Sequence, residues 1–190
     1  MTFVRVACIA MLVLQGGAQI ARAQETAATP AQSPGAPAAE EKQRSEEETR
    51  KQLEQLACGP PHVHLLHHTE KEPQALREPA PEKVLIYVIR TKQIVGSALG
   101  IRVAMDGKWV GINRIGEYFY LETGPGPHNF CSSVGSSRGL LSLMIEKGKS
   151  YYLHQVVTLE GLDLDLLDEK QGKEYVTRYH RSFFEEKRKK

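Results

Sequence analysis

Four histidines in this chain of 190 residues are close enough in sequence to suggest a metal site: His62, His64, His67 and His68. In an extended strand His62 and His64 would point to the same side and could share a metal ion, with His67 as a further ligand. The first two also alternate with apolar residues, as the exposed face of an edge strand does. No cysteine or carboxylate is spaced to complete a tetrahedral set, so both interpretations stay open.

Cysteine chemistry depends on Cys58 and Cys131, because Cys8 lies in an N-terminal segment that we expect to be removed. An even pair in an exported protein is typical of a disulfide, and we predict that these two are bonded. The bond would close a loop of 73 residues. On the chain-entropy model such a loop contributes roughly 4 kcal/mol of stability. The alternative is two free buried cysteines.

Catalytic motifs are absent from the sequence, which has no glycine-rich phosphate loop, no HExxH helix and no Gly-x-Ser-x-Gly elbow. Ser97, His128 and Asp106 lie near expected strand ends, but nothing selects them as a triad. Asp163, Asp165 and Asp168 could ligate calcium, but their alternation with leucines fits the solvent-exposed face of a strand better. The sequence therefore predicts a protein that is not an enzyme and has no cofactor.

The elements that position these residues begin after Pro81, where short apolar runs are separated by turn residues. The runs lie at 83–90, 99–105, 109–113, 117–122, 128–134, 141–146, 151–158 and 162–166. Seven or eight strands without a helix between them predict an all-β fold, a single antiparallel two-sheet β-sandwich. Run 83–90 should be central, because nearly every residue in it is apolar.

The aromatic strand at 117–122 offers a possible ligand face. Tyr118 and Tyr120 share one side of it, and Phe119 and Leu121 share the other. One pair must enter the core, while the other could be displayed. An outward tyrosine pair would favour ligand binding, whereas burial of both faces would make the tyrosines packing residues.

The two ends of the chain differ from its middle. Residues 1–23 have the basic start, apolar run and Ala-x-Ala ending of a signal peptide. Residues 24–57 are rich in Ala, Pro, Glu and Lys, which predicts a disordered linker whose second half is partly helical. The sandwich domain would occupy 58–168. In 169–190, the spacing of Tyr175, Tyr179 and Phe183 predicts a short C-terminal helix, followed by a basic tail.

Charge restricts the partners. The formal net charge is +2, and the removal of 1–23 leaves basic and acidic residues in balance. This balance argues against nucleic-acid binding. The N-terminal apolar run is too short to span a bilayer, so we expect no transmembrane segment after cleavage and a periplasmic or extracellular location.

Several short motifs occur in order between 83 and 168: VLIYV at 84–88, GSALG at 96–100, DGK at 106–108, GEYFY at 116–120, PGPH at 125–128 and EKGKSYY at 146–152. In this succession the chain resembles the bacterial envelope proteins grouped as domain of unknown function 2846. It also looks like the wider PEGA-type sandwiches, although a GPGP sequence at 124–127 replaces their loop tetrapeptide. The resemblance implies an exported β-sandwich without established catalytic residues.

Two functions are consistent with these patterns. The first is a non-catalytic envelope module that presents a loop or the Tyr118 and Tyr120 face to an envelope protein or glycan. The alternative is a periplasmic metal-binding protein that uses the cluster of His62, His64, His67 and His68.

Overall fold

The computed structural model describes residues 36–72, 75–94, 96 and 98–187. These residues form ten strands in two packed sheets, together with two helices, so the mostly-β sandwich is confirmed. The elements in chain order are α1 (Ala36–Ala57), β1 (Leu65–Glu70), β2 (Val84–Arg90), β3 (Ile101–Met105), β4 (Lys108–Asn113), β5 (Glu117–Thr123), β6 (Gly126–Val134), β7 (Ser137–Ile145), β8 (Ser150–Val157), β9 (Leu162–Leu167), α2 (Glu169–Arg178) and β10 (His180–Glu186).

The two sheets differ in size and in strand direction. Sheet A has six strands in the order β1-β10-β5-β2-β8-β9, and sheet B has four in the order β4-β3-β6-β7. Sheet B is antiparallel, but in sheet A β2 runs parallel to β8 and β5 runs parallel to β10. The prediction of a purely antiparallel sandwich with seven or eight strands is therefore wrong in both respects. Residue alternation determines the faces of a strand but not its neighbours.

The two extra strands are β1 and β10, which pair with each other along one side of sheet A. A short C-terminal helix is present: α2 begins after Asp168, whose side chain accepts a hydrogen bond from the backbone N–H of Gln171. The helix ends before Phe183, which lies on β10. Pairing with β1 and β5 therefore outweighs the four-residue aromatic spacing that predicted a longer helix.

Strand β2 lies inside sheet A, as predicted, and all seven of its residues are buried. On one side Val84, Ile86 and Val88 enter the core between the sheets with Phe119 and Phe130. On the other side a second apolar cluster lies beneath α2: Leu85, Tyr87, Ile89, Tyr118, Tyr152 and Val176. Sheet A is therefore covered on both faces, which explains the continuous apolar run.

A buried polar network joins the two sheets at one end of the sandwich. Asn113 Nδ2 donates to the Val88 carbonyl at 2.9 Å and to Gln155 Oε1 at 3.2 Å. Gln155 Nε2 in turn lies 3.2 Å from Ser132 Oγ, to which it donates. At the same end, the buried Arg90 guanidinium donates to carbonyls of the β2–β3 connection. These bonds hold the loops at this end to the core.

The sandwich closes where β7 of sheet B crosses β9 of sheet A. Gly139 on β7 lies directly against the β9 backbone, and a Cβ atom at this position would be 2.8 Å from the Leu162 carbonyl oxygen and 2.9 Å from the Asp163 carbonyl carbon. A side chain would have to displace main chain there. The absence of a Cβ therefore allows the edges of the two sheets to meet.

We expect Gly139→Ala to lower the free energy of unfolding by about 1–3 kcal/mol, because it overpacks the contact between β7 and β9. Gly124→Ala is the matched control, since a Cβ there meets no atom within 4 Å. Urea denaturation of the three proteins checks this expectation. Equal midpoints for Gly139→Ala and the unsubstituted chain would contradict the close approach.

Candidate functional site

The structure separates the four histidines. His67 faces inward from β1, with Nε2 2.7 Å from Glu117 Oε2, whereas His68 stacks on Phe183, with ring centroids 5.0 Å apart. His62 and His64 precede β1 and are exposed. In the part of the chain that the structure describes, no group of three or more His, Cys, Asp or Glu side chains is placed to hold a metal ion.

His67 belongs to a buried cluster around Glu117. The Glu117 carboxylate also accepts a hydrogen bond from Thr69 Oγ1 at 2.6 Å and one from the backbone N–H of Arg114 at 2.7 Å. This cluster ties the edge strand β1 to β5. His67 thus has a structural partner within the fold.

Tyr118 and Tyr120 occupy different environments. Tyr118 is 1% exposed in the cluster beneath α2, where burial raises its pKa to about 12. Tyr120 is half-buried, and the guanidinium carbons of Arg77 and Arg181 lie 4.8 and 4.7 Å from its ring centroid. On the opposite face of β5, Phe119 is in the core between the sheets. Both faces of β5 are therefore packed, and the tyrosine pair is not an open aromatic surface.

His128 and Asp106 do meet, with Nδ1 2.6 Å from Oδ2. His128 Nε2 lies 3.1 Å from the Gly124 carbonyl oxygen, so both ring nitrogens have partners within the fold. Asp106 also accepts a hydrogen bond from the backbone N–H of Asn129 at 2.9 Å. The pair holds the β3–β4 turn against β6. Ser97 lies outside the described residues.

A groove of about 780 Å³ separates α1 from one edge of the sandwich, and we call it the α1–β9 groove. One wall is a single face of α1, whose lining residues recur three and four positions apart. They are Ser45, Glu46, Thr49, Arg50, Leu53 and Glu54. The opposite side is formed by 136–140 at the start of β7 and by 158 and 160–165 in the β8–β9 turn and β9.

The helix is fixed at its C-terminal end. Cys58, directly after α1, is bonded to Cys131 on β6, which confirms the predicted disulfide. Ala57 and Cys131 are fully buried beside Ala104. Glu54 Oε1 lies 3.3 Å from Arg138 Nε. The covalent bond and this ion pair set the position of α1 relative to β7.

The sandwich wall of the groove is a sheet edge. Among the described residues β9 is the last strand of sheet A, and its hydrogen-bonded neighbour is β8. Leu162 and Leu164 are buried, while Asp163 and Asp165 are exposed. The backbone edge of β9 that faces away from β8 lies against Gly139 of β7 at Leu162 and Leu164, so β9 offers the groove mainly its two outward carboxylates.

The groove is acidic. Five of its lining residues carry carboxylates and two carry guanidinium groups, and one guanidinium, that of Arg138, is already paired with Glu54. The carboxylates belong to Glu46, Glu54, Glu160, Asp163 and Asp165. The excess of acid makes the potential in the groove negative.

An apolar recess adjoins the groove at the end of the sandwich. It measures about 450 Å³, is lined in part by Leu99, Val134 and Leu159, and shares the β8–β9 turn with the groove. Leu159 is 94% exposed. An acidic groove therefore ends in a surface that would gain from contact with an apolar side chain.

Comparisons with family models, curated proteins and solved structures found no match to this chain. In the ranges that the structure covers, neither helix is long and apolar enough to cross a membrane. Sequence reasoning missed the α1–β9 groove, although the alternation of Asp163 and Asp165 with leucines was a usable signal for its β9 wall.

A titratable group lies beside this wall. His154 on β8 is opposite Asp165 on β9, and its Nε2 is 2.9 Å from Thr91 Oγ1. Burial lowers the pKa of His154 below its ordinary value of 6.5, and Asp165 opposes the shift. The folded protein therefore takes up this proton less readily than the unfolded chain does.

We expect the free energy of unfolding to fall as the pH drops below 6.5 and through the lower pKa that His154 has in the folded state. His154→Gln should reduce this pH dependence, because the other titrating groups are common to both proteins. Urea denaturation at neutral and mildly acidic pH measures the difference. If both proteins lose the same free energy on acidification, burial does not shift this histidine.

Proposed function

We propose that this chain is an exported envelope protein whose sandwich is a non-catalytic binding module, with the α1–β9 groove as its ligand site. The observation that carries the proposal is the placement of α1. Of its described side chains only Ala57 is buried in the core, so packing of the core does not account for the helix. Instead, α1 forms one wall of the α1–β9 groove.

Three observations support export. Residues 1–23 have the pattern of a signal peptide. Cys58 and Cys131 form a disulfide, a bond that is typical of proteins in oxidising compartments. The ordered motifs between 83 and 168 resemble the envelope family grouped as domain of unknown function 2846, for which an exported sandwich is expected.

The contacts of the candidate catalytic side chains support a non-catalytic role. His67 and His128 both have partners that hold the fold together. The described lining of the groove contains neither histidine nor cysteine. It offers carboxylates, hydroxyls and guanidinium groups, which bind ligands without supplying an activated nucleophile.

The shape of the groove favours a linear ligand. The lining residues of α1 extend from Ser45 to Glu54, which at about 1.5 Å per residue is roughly 14 Å of helix. About four residues of extended polypeptide cover this length. We therefore propose a segment of an envelope protein or glycan chain as the ligand.

Photo-crosslinking in living cells tests this site. A diazirine residue at Thr49, on the groove wall, should give a discrete adduct, whereas one at Met144, 68% exposed on sheet B, should not. Mass spectrometry and glycosidase digestion of the adduct distinguish a protein from a glycan. No adduct at Thr49, or the same adduct at both positions, would refute the groove as the ligand site.

A further inference from the structure

We infer that the outer face of sheet B binds a phosphate group between Arg102 and Arg138, over the hydroxyl of Ser133. The juxtaposition that carries this inference is a buried hydroxyl without a described partner, with an arginine on the strand to either side of it. This site is additional to the ligand site proposed in the α1–β9 groove.

Strand register places the three side chains in one row across sheet B. Ser133 on β6 is directly opposite Arg102 on β3 and Arg138 on β7. Cys131, two positions earlier on β6, packs against the end of α1, so the whole row lies on the outer face of the sheet. Adjacent strands are about 4.8 Å apart, and the two arginines therefore stand on either side of Ser133 with roughly 10 Å between their Cα atoms.

The hydroxyl of Ser133 is the unusual member of the row. Ser133 is 1% exposed, and its Oγ forms no hydrogen bond with any described residue. A buried polar group in this state is destabilising, and in folded proteins such groups normally bond to a ligand or an ordered water. The positive charges on both sides of Ser133 favour an acceptor that carries negative charge.

Arg102 contributes a charge that the described fold does not neutralise. Its guanidinium carbon lies 4.4 Å from the Trp109 ring centroid, and its Nη1 donates to the Val63 carbonyl at 3.4 Å. No described carboxylate pairs with it, and both partial burial and the positive charge of Arg138 lower its pKa. The two guanidinium groups therefore repel each other, and an anion between them would remove this repulsion.

Helix α1 adds one cation and one carboxylate beside this row. Arg50 Nη2 donates to the Arg138 carbonyl at 3.4 Å, and Glu54 Oε1 lies 3.3 Å from Arg138 Nε. Arg138 Nη1 donates to the carbonyls of Gly135 and Ser137, so in the described contacts Nη2 has no acceptor. One carboxylate faces three guanidinium groups, which leaves an excess of positive charge at this place.

The arrangement of the donors favours a tetrahedral anion. Two guanidinium groups approach from opposite strands, and the hydroxyl lies beneath them. A phosphate has a separate oxygen for each of these three donor groups, whereas a carboxylate has two oxygens in one plane. Both arginines are partly exposed, so a phosphate in solution can reach them.

Trp109 is the only tryptophan of the chain and lies against the Arg102 guanidinium, so its fluorescence reports on the site. The test titrates inorganic phosphate into the oxidised chain at constant ionic strength. We expect a saturable change in this fluorescence that acetate does not produce. Glycerol phosphate is titrated in parallel: tighter binding of the ester supports a phosphate carried on a larger molecule, and tighter binding of inorganic phosphate supports the free anion.

Two double variants test the arginines, with calorimetric titration as a second measure of affinity. Arg102→Gln combined with Arg138→Gln should weaken phosphate binding by about tenfold or more. The matched control is Lys173→Gln combined with Arg178→Gln, which removes the same charge from exposed positions on α2, beyond sheet A. This control should bind within about twofold of the unsubstituted chain.

Ser133→Ala distinguishes a built site from attraction between charges, because it keeps every cation. It should weaken phosphate binding by about tenfold, while the urea midpoint without phosphate stays equal or rises, since a buried hydroxyl without a partner is removed. Unchanged phosphate affinity in Ser133→Ala, a lower urea midpoint, equal affinity for acetate, or equal weakening by the two double variants would each overturn the inference. The adduct at Thr49 is measured separately, so a failed phosphate titration leaves the groove proposal standing.

Discussion

The covalent bond between Cys58 and Cys131 is the constraint on which the proposed site depends. Helix α1 is highly charged and contributes one described side chain to the core, and an isolated helix of this kind is marginal in water. Its ion pair between Glu54 and Arg138 is partly exposed, and such pairs contribute less than about 1 kcal/mol. The disulfide is covalent and holds Cys58, the residue directly after α1, to Cys131 on β6, so it is the strongest restraint on the position of the helix. The groove consequently depends on the oxidised state of Cys58 and Cys131.

The sandwich supplies the wall of the groove opposite α1, at the start of β7, the β8–β9 turn and β9. The inner strands of sheet A are covered on both faces, by the core between the sheets and by α2, so they offer no binding surface. Its border at β9 carries the exposed carboxylates of Asp163 and Asp165. The crossing at Gly139 holds this border against β7 while α1 stands apart from it. The proposed site thus lies at the border of the sandwich, and the packed strands of the two sheets hold it in place.

Local patterns in the sequence predicted much of the fold. Apolar alternation located the strands from β2 to β9, and the even number of cysteines predicted the disulfide. The parallel pairing of β2 with β8 was not predicted, because alternation contains no information about which strands become neighbours. Phe183 was assigned to a helix, since a four-residue aromatic spacing cannot reveal that β1 will pair with β10. The groove was missed for a related reason: it requires the docking of α1, which depends on a covalent bond between distant residues.

The central claim is that the disulfide docks α1 against the sandwich to form a wall of the groove, and hydrogen exchange of the α1 amides measures this directly. In the oxidised protein, amides from Ser45 to Ala57 should exchange slowly, because a docked helix opens rarely. Reduction should accelerate their exchange while the amides of β2 remain protected by the core. Rapid exchange along α1 in the oxidised protein, at the rate seen after reduction, would contradict the account.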